Sequence, residues 1–306
     1  MKHKVFYLAF VIVASISCTI SNKENKNMTL NMGVMSSMDY LPLAVAQANG
    51  YFEKEGLTVN LQKFFSANDR DAAIQSGNLD GSILDYTGAA IQKAGGVELF
   101  FTSQCDGTFE LIAGKNVANN ELKGKNFAVA RNTVVDFCTD IVLQNAGIPQ
   151  SDVVKSEINK IPLRLEMLRN GKIDMTVLPD PFASIAKADG FPMVTSLREQ
   201  GYQVTGIVFT KNAIDTKSDA IEAFYKAYNQ AIADLQKKPA ADFKDVLVSE
   251  IGFPEPVVAS VKLPEYQLAK LPEAKDLDAV STWLKERGLI RAEFDIHTIV
   301  NADFVK

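Results

Sequence analysis

The chain has 306 residues, 47% of them hydrophobic and 23% charged, which is typical of a soluble globular protein with two domains or two lobes. Its net charge of −5, from 32 Lys and Arg against 37 Asp and Glu, argues against a nucleic-acid partner, because affinity for phosphate backbones depends on cationic side chains. Three cysteines and two histidines match no disulfide scaffold and no zinc pattern, so we expect neither a metal nor a cofactor.

Residues 1–17 have the features of an export signal peptide. A short basic head precedes about ten apolar residues, which are too few to span a bilayer core but suit such a signal. Small residues then lead into Cys18, which resembles a bacterial lipoprotein signal with an acylated first mature residue. Ser15 and Ser17 would also suit ordinary signal peptidase. We expect lipidation at Cys18, membrane contact through that lipid, and a polar tether over residues 18–27.

The body of the chain contains a doubled unit. The segment Gly77–Asp85 reappears as Gly171–Pro179, 94 residues later, and Val34 and Val129 are a further landmark pair at nearly the same spacing. A repeated spacing of this kind indicates two copies of one supersecondary unit.

Strands and helices alternate within each copy. The first copy predicts strands at 28–35, 57–64 and 82–84, and helices at 42–49 and 69–75. The second copy predicts strands at 126–130, 153–158 and 175–178, and helices at 134–144 and 163–168. A long amphipathic helix is predicted at 219–237.

This alternation predicts an α/β fold with βαβ units. We expect two lobes, each a mostly parallel sheet flanked by helices, with a cleft between them. Lobe 1 is predicted to comprise 28–103 and 203–306, and lobe 2 to comprise 104–202.

Four motifs together resemble a known family. They are Asp39-Tyr40-x-Pro42-Leu43-x-x-Ala46-x-x-x-Gly50-Tyr51-Phe52-x-x-x-Gly56-Leu57-x-Val59, Gly77-Asn78-Leu79-Asp80, Leu122-Lys123-Gly124-Lys125 and Val177-Leu178-Pro179-Asp180-Pro181-Phe182. Over about residues 28–284 the chain resembles the solute-binding proteins of ABC importers for nitrate, sulfonates, taurine and thiamine pyrimidines. The resemblance implies a type II periplasmic-binding fold outside the cytoplasmic membrane, a small-molecule solute and an ABC permease as partner. We expect a monomer.

Side chains at the predicted strand ends are the ligand-binding candidates, because ligands of open α/β sheets sit beyond the carboxyl ends of the strands. They are Ser36, Ser37, Asp39, Tyr40, Phe65, Asn68, Asp85, Tyr86, Thr87, Gln104, Arg131, Asn132, Thr133 and Asp180. Arg131 offers a fork of donors that suits a carboxylate, sulfonate or phosphate. Asp39, Asp85 and Thr133 are equally candidates for helix N-caps.

The predicted function is the capture of a small organic solute by closure of two lobes. Acceptors and aromatic rings outnumber Arg131 at the strand ends, which favours a heterocycle or an organic anion over a bare inorganic anion. The alternative is a secreted enzyme on the same fold, related to thiamine-pyrimidine synthesis. Such relatives use a cysteine-rich motif and histidine, whereas this chain has no cysteine cluster and only His297 beyond the signal, so we expect no enzyme.

Overall fold

A computed structural model of the protein describes residues 28–117 and 121–305, and the predicted signal, tether and Cys18 lie outside them. The described chain forms two five-stranded sheets, each the centre of one lobe. The first lobe contains β1 (Thr29–Met35), β2 (Thr58–Phe64), β3 (Gly81–Asp85), β4 (Leu99–Gln104) and β10 (Thr205–Thr210), in the spatial order β2-β1-β3-β10-β4. The second lobe contains β5 (Phe109–Ala113), β6 (Asn126–Val129), β7 (Val154–Glu157), β8 (Met175–Pro179) and β9 (Met193–Ser196), in the order β7-β6-β8-β5-β9.

Helices flank both sheets. They are α1 (Leu41–Ala48), α2 (Tyr51–Lys54), α3 (Ala67–Gln75), α4 (Tyr86–Ala94), α5 (Val134–Asn145), α6 (Ile161–Arg169), α7 (Phe182–Ala188), α8 (Lys211–Thr216), α9 (Ser218–Lys237), α10 (Lys244–Val246), α11 (Glu255–Val258) and α12 (Ala274–Glu286). A π-helical turn, Leu247–Ile251, follows α10 directly.

Four strands of each sheet point in one direction. The exceptions are β10 and β5, which run antiparallel to both of their neighbours. Each exception is the strand that follows a connection between the lobes, at 105–108 or at 197–204. The two-lobed α/β fold with mostly parallel sheets is confirmed, while the predicted lobe limits at 103 and 203 stay a prediction.

The two lobes repeat one hydrogen-bonding pattern. The backbone N–H of Asn31 donates to the Asp80 carboxylate at 2.8 Å, and that of Asn126 donates to the Asp174 carboxylate at 2.7 Å. The two aspartates are 94 residues apart and lie in the segments that the sequence pairs, Gly77–Asp85 and Gly171–Pro179. Helices α3 and α6 also begin 94 residues apart, so the doubled unit is present in the structure.

Helix α9 follows from its amphipathic pattern. Its apolar residues recur at intervals of three and four and are buried, among them Ala220, Ile221, Phe224, Ala227, Tyr228, Ala231, Ile232 and Leu235. That face packs on α1 and α2, where the rings of Phe224 and Phe52 stack 5.8 Å apart. Within 28–117 and 121–305, no helix is both long and apolar enough to cross a membrane.

A buried ionic cluster joins α12 to the second lobe. The Asp140 carboxylate on α5 accepts from the Trp283 indole at 2.9 Å and from Arg287 at 2.5 Å. Arg287 also pairs with Asp136 at 3.1 Å, and Lys155 on β7 contacts both carboxylates. Because α12 packs on α4 of the first lobe, the cluster links the two lobes on the side of α4, α5 and α12.

Candidate ligand-binding cleft

A cavity lies between the lobes, at the carboxyl ends of β1, β3 and β8. Its enclosed volume is ≈ 60 Å³, and the space amounts to ≈ 560 Å³ when the open solvent at its mouth is counted. The first lobe contributes the ends of β1 and β3 and the start of α3, and the second contributes the starts of α5 and α6. This position agrees with the rule for ligands of open α/β sheets.

Five of the predicted residues line this cavity: Ser36, Ser37, Asp39, Asp85 and Thr133. Asp85 and Thr133 are also the N-caps of α4 and α5, where they accept from backbone amides at 2.8 and 3.2 Å. The capping role of both residues is confirmed, and their contact with a ligand stays a prediction that capping does not exclude, since a cap at a strand end faces the cleft.

The remaining predicted residues do not line this cavity. They are Tyr40, Phe65, Asn68, Tyr86, Thr87, Gln104, Arg131, Asn132 and Asp180. Their contact with a ligand stays a prediction, which the structure does not favour.

Physical reasons separate these residues from the cavity. Tyr86 is in the core, where its ring packs edge-on against Phe101 at 4.8 Å, and Tyr40 donates to Glu250 at 3.0 Å. Thr87 donates to Asp85, and Asp180 accepts from the backbone amide of Ser184 at 2.9 Å. Gln104 lines a separate groove beside the connections between the lobes.

The other four lie towards solvent. Phe65, Asn68 and Asn132 are exposed. Arg131, the arginine chosen from the sequence, has a side chain that is 48% exposed and pairs with Glu157 at 3.3 Å. A solvated surface ion pair therefore accounts for it.

Two buried arginines that the sequence analysis missed do line the cavity. Arg70 on α3 is 4% exposed and Arg164 on α6 is 1% exposed. They are 94 residues apart, so they occupy equivalent positions in the doubled unit. The repeat was the signal that could have found them, because a search limited to strand ends omits residues inside a helix.

Arg70 is neutralised within its own lobe. It pairs with Asp71 at 2.8 Å and with Asp85 at 3.3 Å, and it donates to the carbonyl of Ile83 at 3.2 Å. Burial alone lowers the pKa of Arg70, but the two carboxylates outweigh burial and raise it. For Asp71, burial outweighs the attraction of Arg70 and raises the pKa.

Arg164 has no such counter-charge. It donates to the carbonyls of Ile158 at 3.1 Å and Asn159 at 3.5 Å, and its buried Nε has no acceptor. No carboxylate of the described residues forms an ion pair with it. Burial lowers the pKa of Arg164 to about 10, so the guanidinium stays charged at neutral pH. The residues equivalent to Asp71 and Asp85, 94 positions further on, are Leu165 and Pro179.

Asp39 is the second charged residue of the cavity lining that forms no ion pair with a described residue. It is 3% exposed and accepts from the backbone amide of Gly107 at 2.5 Å. A Cβ at Gly107 would overlap Asp39, so this contact requires glycine. Burial raises the pKa of Asp39 to about 6, with a smaller contribution from Asp106, while the Gly107 bond, the Thr205 hydroxyl and Arg198 lower it.

We expect Asp39 to make the stability of the fold depend on pH. The folded chain keeps the Asp39 proton between pH 3.8 and about 6, whereas the unfolded chain loses it. The contribution of this group to stability is therefore complete below pH 3.8 and is lost as the pH rises through about 6. The difference between the ordinary pKa of 3.8 and the folded-state pKa of about 6 corresponds to about 3 kcal/mol in the free energy of unfolding.

The variant Asp39→Asn isolates this effect, because Asn accepts the Gly107 bond but does not titrate. Urea unfolding of both proteins should show the variant gaining stability relative to the wild type as the pH rises through the same interval. A difference that is constant with pH would contradict the assignment.

The two cysteines in the described residues, Cys105 and Cys138, are both buried and free. Burial raises the pKa of Cys138 to about 12 and that of Cys105 well above its ordinary value. Thiolate formation is thereby suppressed at both positions, so these thiols are inert at neutral pH.

Comparison with known proteins agrees with the fold and the cleft. Residues 23–247 match the model of the NMT1-like family. The chain is 22% identical over 292 residues to a Bacillus subtilis (strain 168) protein described as binding protein YtlA, covering 89% of this chain and 87% of the relative. It is 24% identical over 264 residues to a Brachyspira hyodysenteriae protein described as an ABC transporter periplasmic binding protein, covering 79% and 75%.

Solved structures share the architecture. The periplasmic aliphatic sulphonate binding protein SsuA from Escherichia coli matches with a TM-score of 0.75 at 15% identity, covering 91% of this chain and 94% of that chain. The predicted periplasmic-binding fold is confirmed, and relatives described as binding proteins do not favour the enzyme alternative. Because the family model covers most of the sequence, the chain belongs to the NMT1-like family.

Proposed function

We propose that the protein is the extracytoplasmic solute-binding component of an ABC importer and that it captures a small organic acid between its lobes. Relatives described as binding proteins and the cavity between two lobes support this role. The solute would be handed to an ABC permease in the membrane. Acylation of Cys18, a membrane anchor through residues 18–27 and a monomeric state belong to the same proposal.

The buried guanidinium of Arg164, which has no carboxylate partner among the described residues, is the observation that favours an acidic solute. A buried charge is strongly unfavourable unless it is paired. The charge of Arg70 is paired with Asp71 and Asp85. The residues at the equivalent positions of the second lobe, Leu165 and Pro179, carry no charge that could pair with Arg164. An acid group of the solute would take the place of the missing carboxylates and accept hydrogen bonds from the free N–H groups of the guanidinium.

Apolar walls favour an organic solute over an inorganic anion. Met35 and Ile83 from the first lobe, and Val134 and Ile161 from the second, face the same cavity as Arg164. A small number of polar groups among apolar side chains is typical of sites that bind organic molecules.

Lobe closure is the proposed mechanism. The connections 105–108 and 197–204 allow the lobes to move relative to each other. At the mouth of the cleft, the backbone N–H of Ile161 on α6 donates to the carbonyl of Phe65 in the first lobe at 3.3 Å. A solute held by Arg164 and by the first-lobe wall would stabilise this closed arrangement, because it contacts both lobes only there.

Substitution of Arg164 tests the proposal. We expect Arg164→Gln to weaken binding of small carboxylates and sulfonates by about 10- to 100-fold, because it removes charge-assisted hydrogen bonds. The measurement is isothermal titration calorimetry, with acids chosen by native mass spectrometry of the purified protein. Arg169→Gln is the matched control, since Arg169 lies on the same helix, pairs with Glu166 and Asp189 at the surface and does not line the cavity. Equal affinities of the wild type and Arg164→Gln would contradict the proposal.

A further inference from the structure

We propose that the solute carries a hydrogen-bond donor, an amino or hydroxyl group, in addition to its acid group, and that Asp39 accepts from this donor. The inference rests on the proposed function, because it assigns a second contact in the same cavity. It makes the solute class dipolar: an acid with a donor at its opposite end.

The charged side chains that line the cavity fall into two groups. Arg70 and Asp85 pair with each other, and Asp85 also accepts from the amide of Gly88 and from Thr87. Their hydrogen-bonding capacity is used within the first lobe. Asp39 and Arg164 form no ion pair with any residue in 28–117 or 121–305, and they do not pair with each other.

Asp39 retains acceptor capacity inside the cavity. A carboxylate offers about four acceptor positions, of which the amide of Gly107 takes one, at 2.5 Å. The neighbouring Thr205 hydroxyl can take at most one more. An ionised carboxylate that is 97% hidden from solvent, with positions still open, is stabilised by a further donor. Asp39 lines the cavity, so a solute held there lies beside this carboxylate.

The two charged groups without an ion pair lie on opposite sides of the cavity, one in each lobe. Asp39 follows β1 in the first lobe, and Arg164 lies on α6 in the second. A solute with an acid at one end and a donor at the other complements both groups at once. A simple acid complements Arg164 but leaves Asp39 uncompensated when the cleft closes.

Contact with Asp39 also reaches the connection between the lobes. Gly107, which donates to Asp39, lies in the segment 105–108 that links β4 to β5. The donor of the solute is therefore recognised by a side chain that is hydrogen-bonded to the connection between the lobes. This contact would both strengthen binding and favour the closed arrangement.

Matched acids with and without a donor test the inference. The probes are para-aminobenzoate against benzoate, and beta-alanine against propionate, measured by calorimetry at neutral pH. In each pair we expect the amino form to bind the wild type at least about 10-fold more tightly, because a hydrogen bond to a charged group strengthens binding by that order. Asp39→Asn should remove this preference, because it weakens binding of the amino form and does not weaken binding of benzoate or propionate, whereas Arg164→Gln should weaken both members of a pair.

The outcomes separate this inference from the proposed function. If the wild type binds both members of each pair alike, or if Asp39→Asn weakens both members equally, the inference is wrong and the proposed function stands. If Arg164→Gln binds the acids as tightly as the wild type does, the proposed function itself is contradicted. Thermal unfolding of Asp39→Asn verifies that the variant is folded.

Discussion

Arg70→Met is expected to lower the free energy of unfolding by about 3–5 kcal/mol, because it leaves the buried carboxylates of Asp71 and Asp85 without their cation. Arg164→Met is the matched comparison on the equivalent helix. It removes a buried charge that has no carboxylate partner, so the gain offsets the lost hydrogen bond to Ile158, and we expect stability within about 2 kcal/mol of the wild type.

Urea unfolding of the ligand-free proteins measures this contrast. Equal losses in the two variants would mean that Arg164 has a compensated structural role in the second lobe. In that case its charge would no longer point to an acidic solute, and the proposed function would lose its main support.

Asp140→Ala should produce a loss of similar size, about 3–5 kcal/mol. The substitution leaves Lys155 and Arg287 with only Asp136 as a counter-charge, and it removes the acceptor of the Trp283 indole. The matched control is Asp189→Ala, which breaks an exposed ion pair with Arg169. Exposed pairs contribute at most about 1 kcal/mol.

The denaturation midpoints of the two alanine variants test the importance of the cluster. A loss for Asp140→Ala that is no larger than for Asp189→Ala would show that the buried cluster does not stabilise the link between α5 and α12.

The sequence was sufficient for the fold because the fold depends on periodic patterns. The apolar spacing of 219–237 predicted α9, which the structure gives as Ser218–Lys237. The 94-residue repeat predicted two equivalent lobes, and the bonds of Asp80 and Asp174 to the first strands show the same pattern in both. Such patterns reflect burial and backbone pairing, which act at every residue of an element.

The site was predicted less completely, because it depends on the direction of individual side chains. The strand-end rule located Ser36, Ser37 and Asp39 in the cavity. It also selected Arg131, which points to solvent, and it omitted Arg164, whose helix turns it inwards. Whether an arginine after a strand faces water or the cleft is decided by packing between the lobes, which no local pattern encodes.

The missing counter-charge of Arg164 has a consequence for how specificity arises in a duplicated protein. The first lobe carries a complete arginine–aspartate arrangement, and the second carries the same arginine with Leu165 and Pro179 where the aspartates would be. Recognition of an anion then needs no newly added residue. In the proposed function, the absence of two acids from one copy leaves the buried guanidinium of Arg164 free to pair with the acid group of a solute.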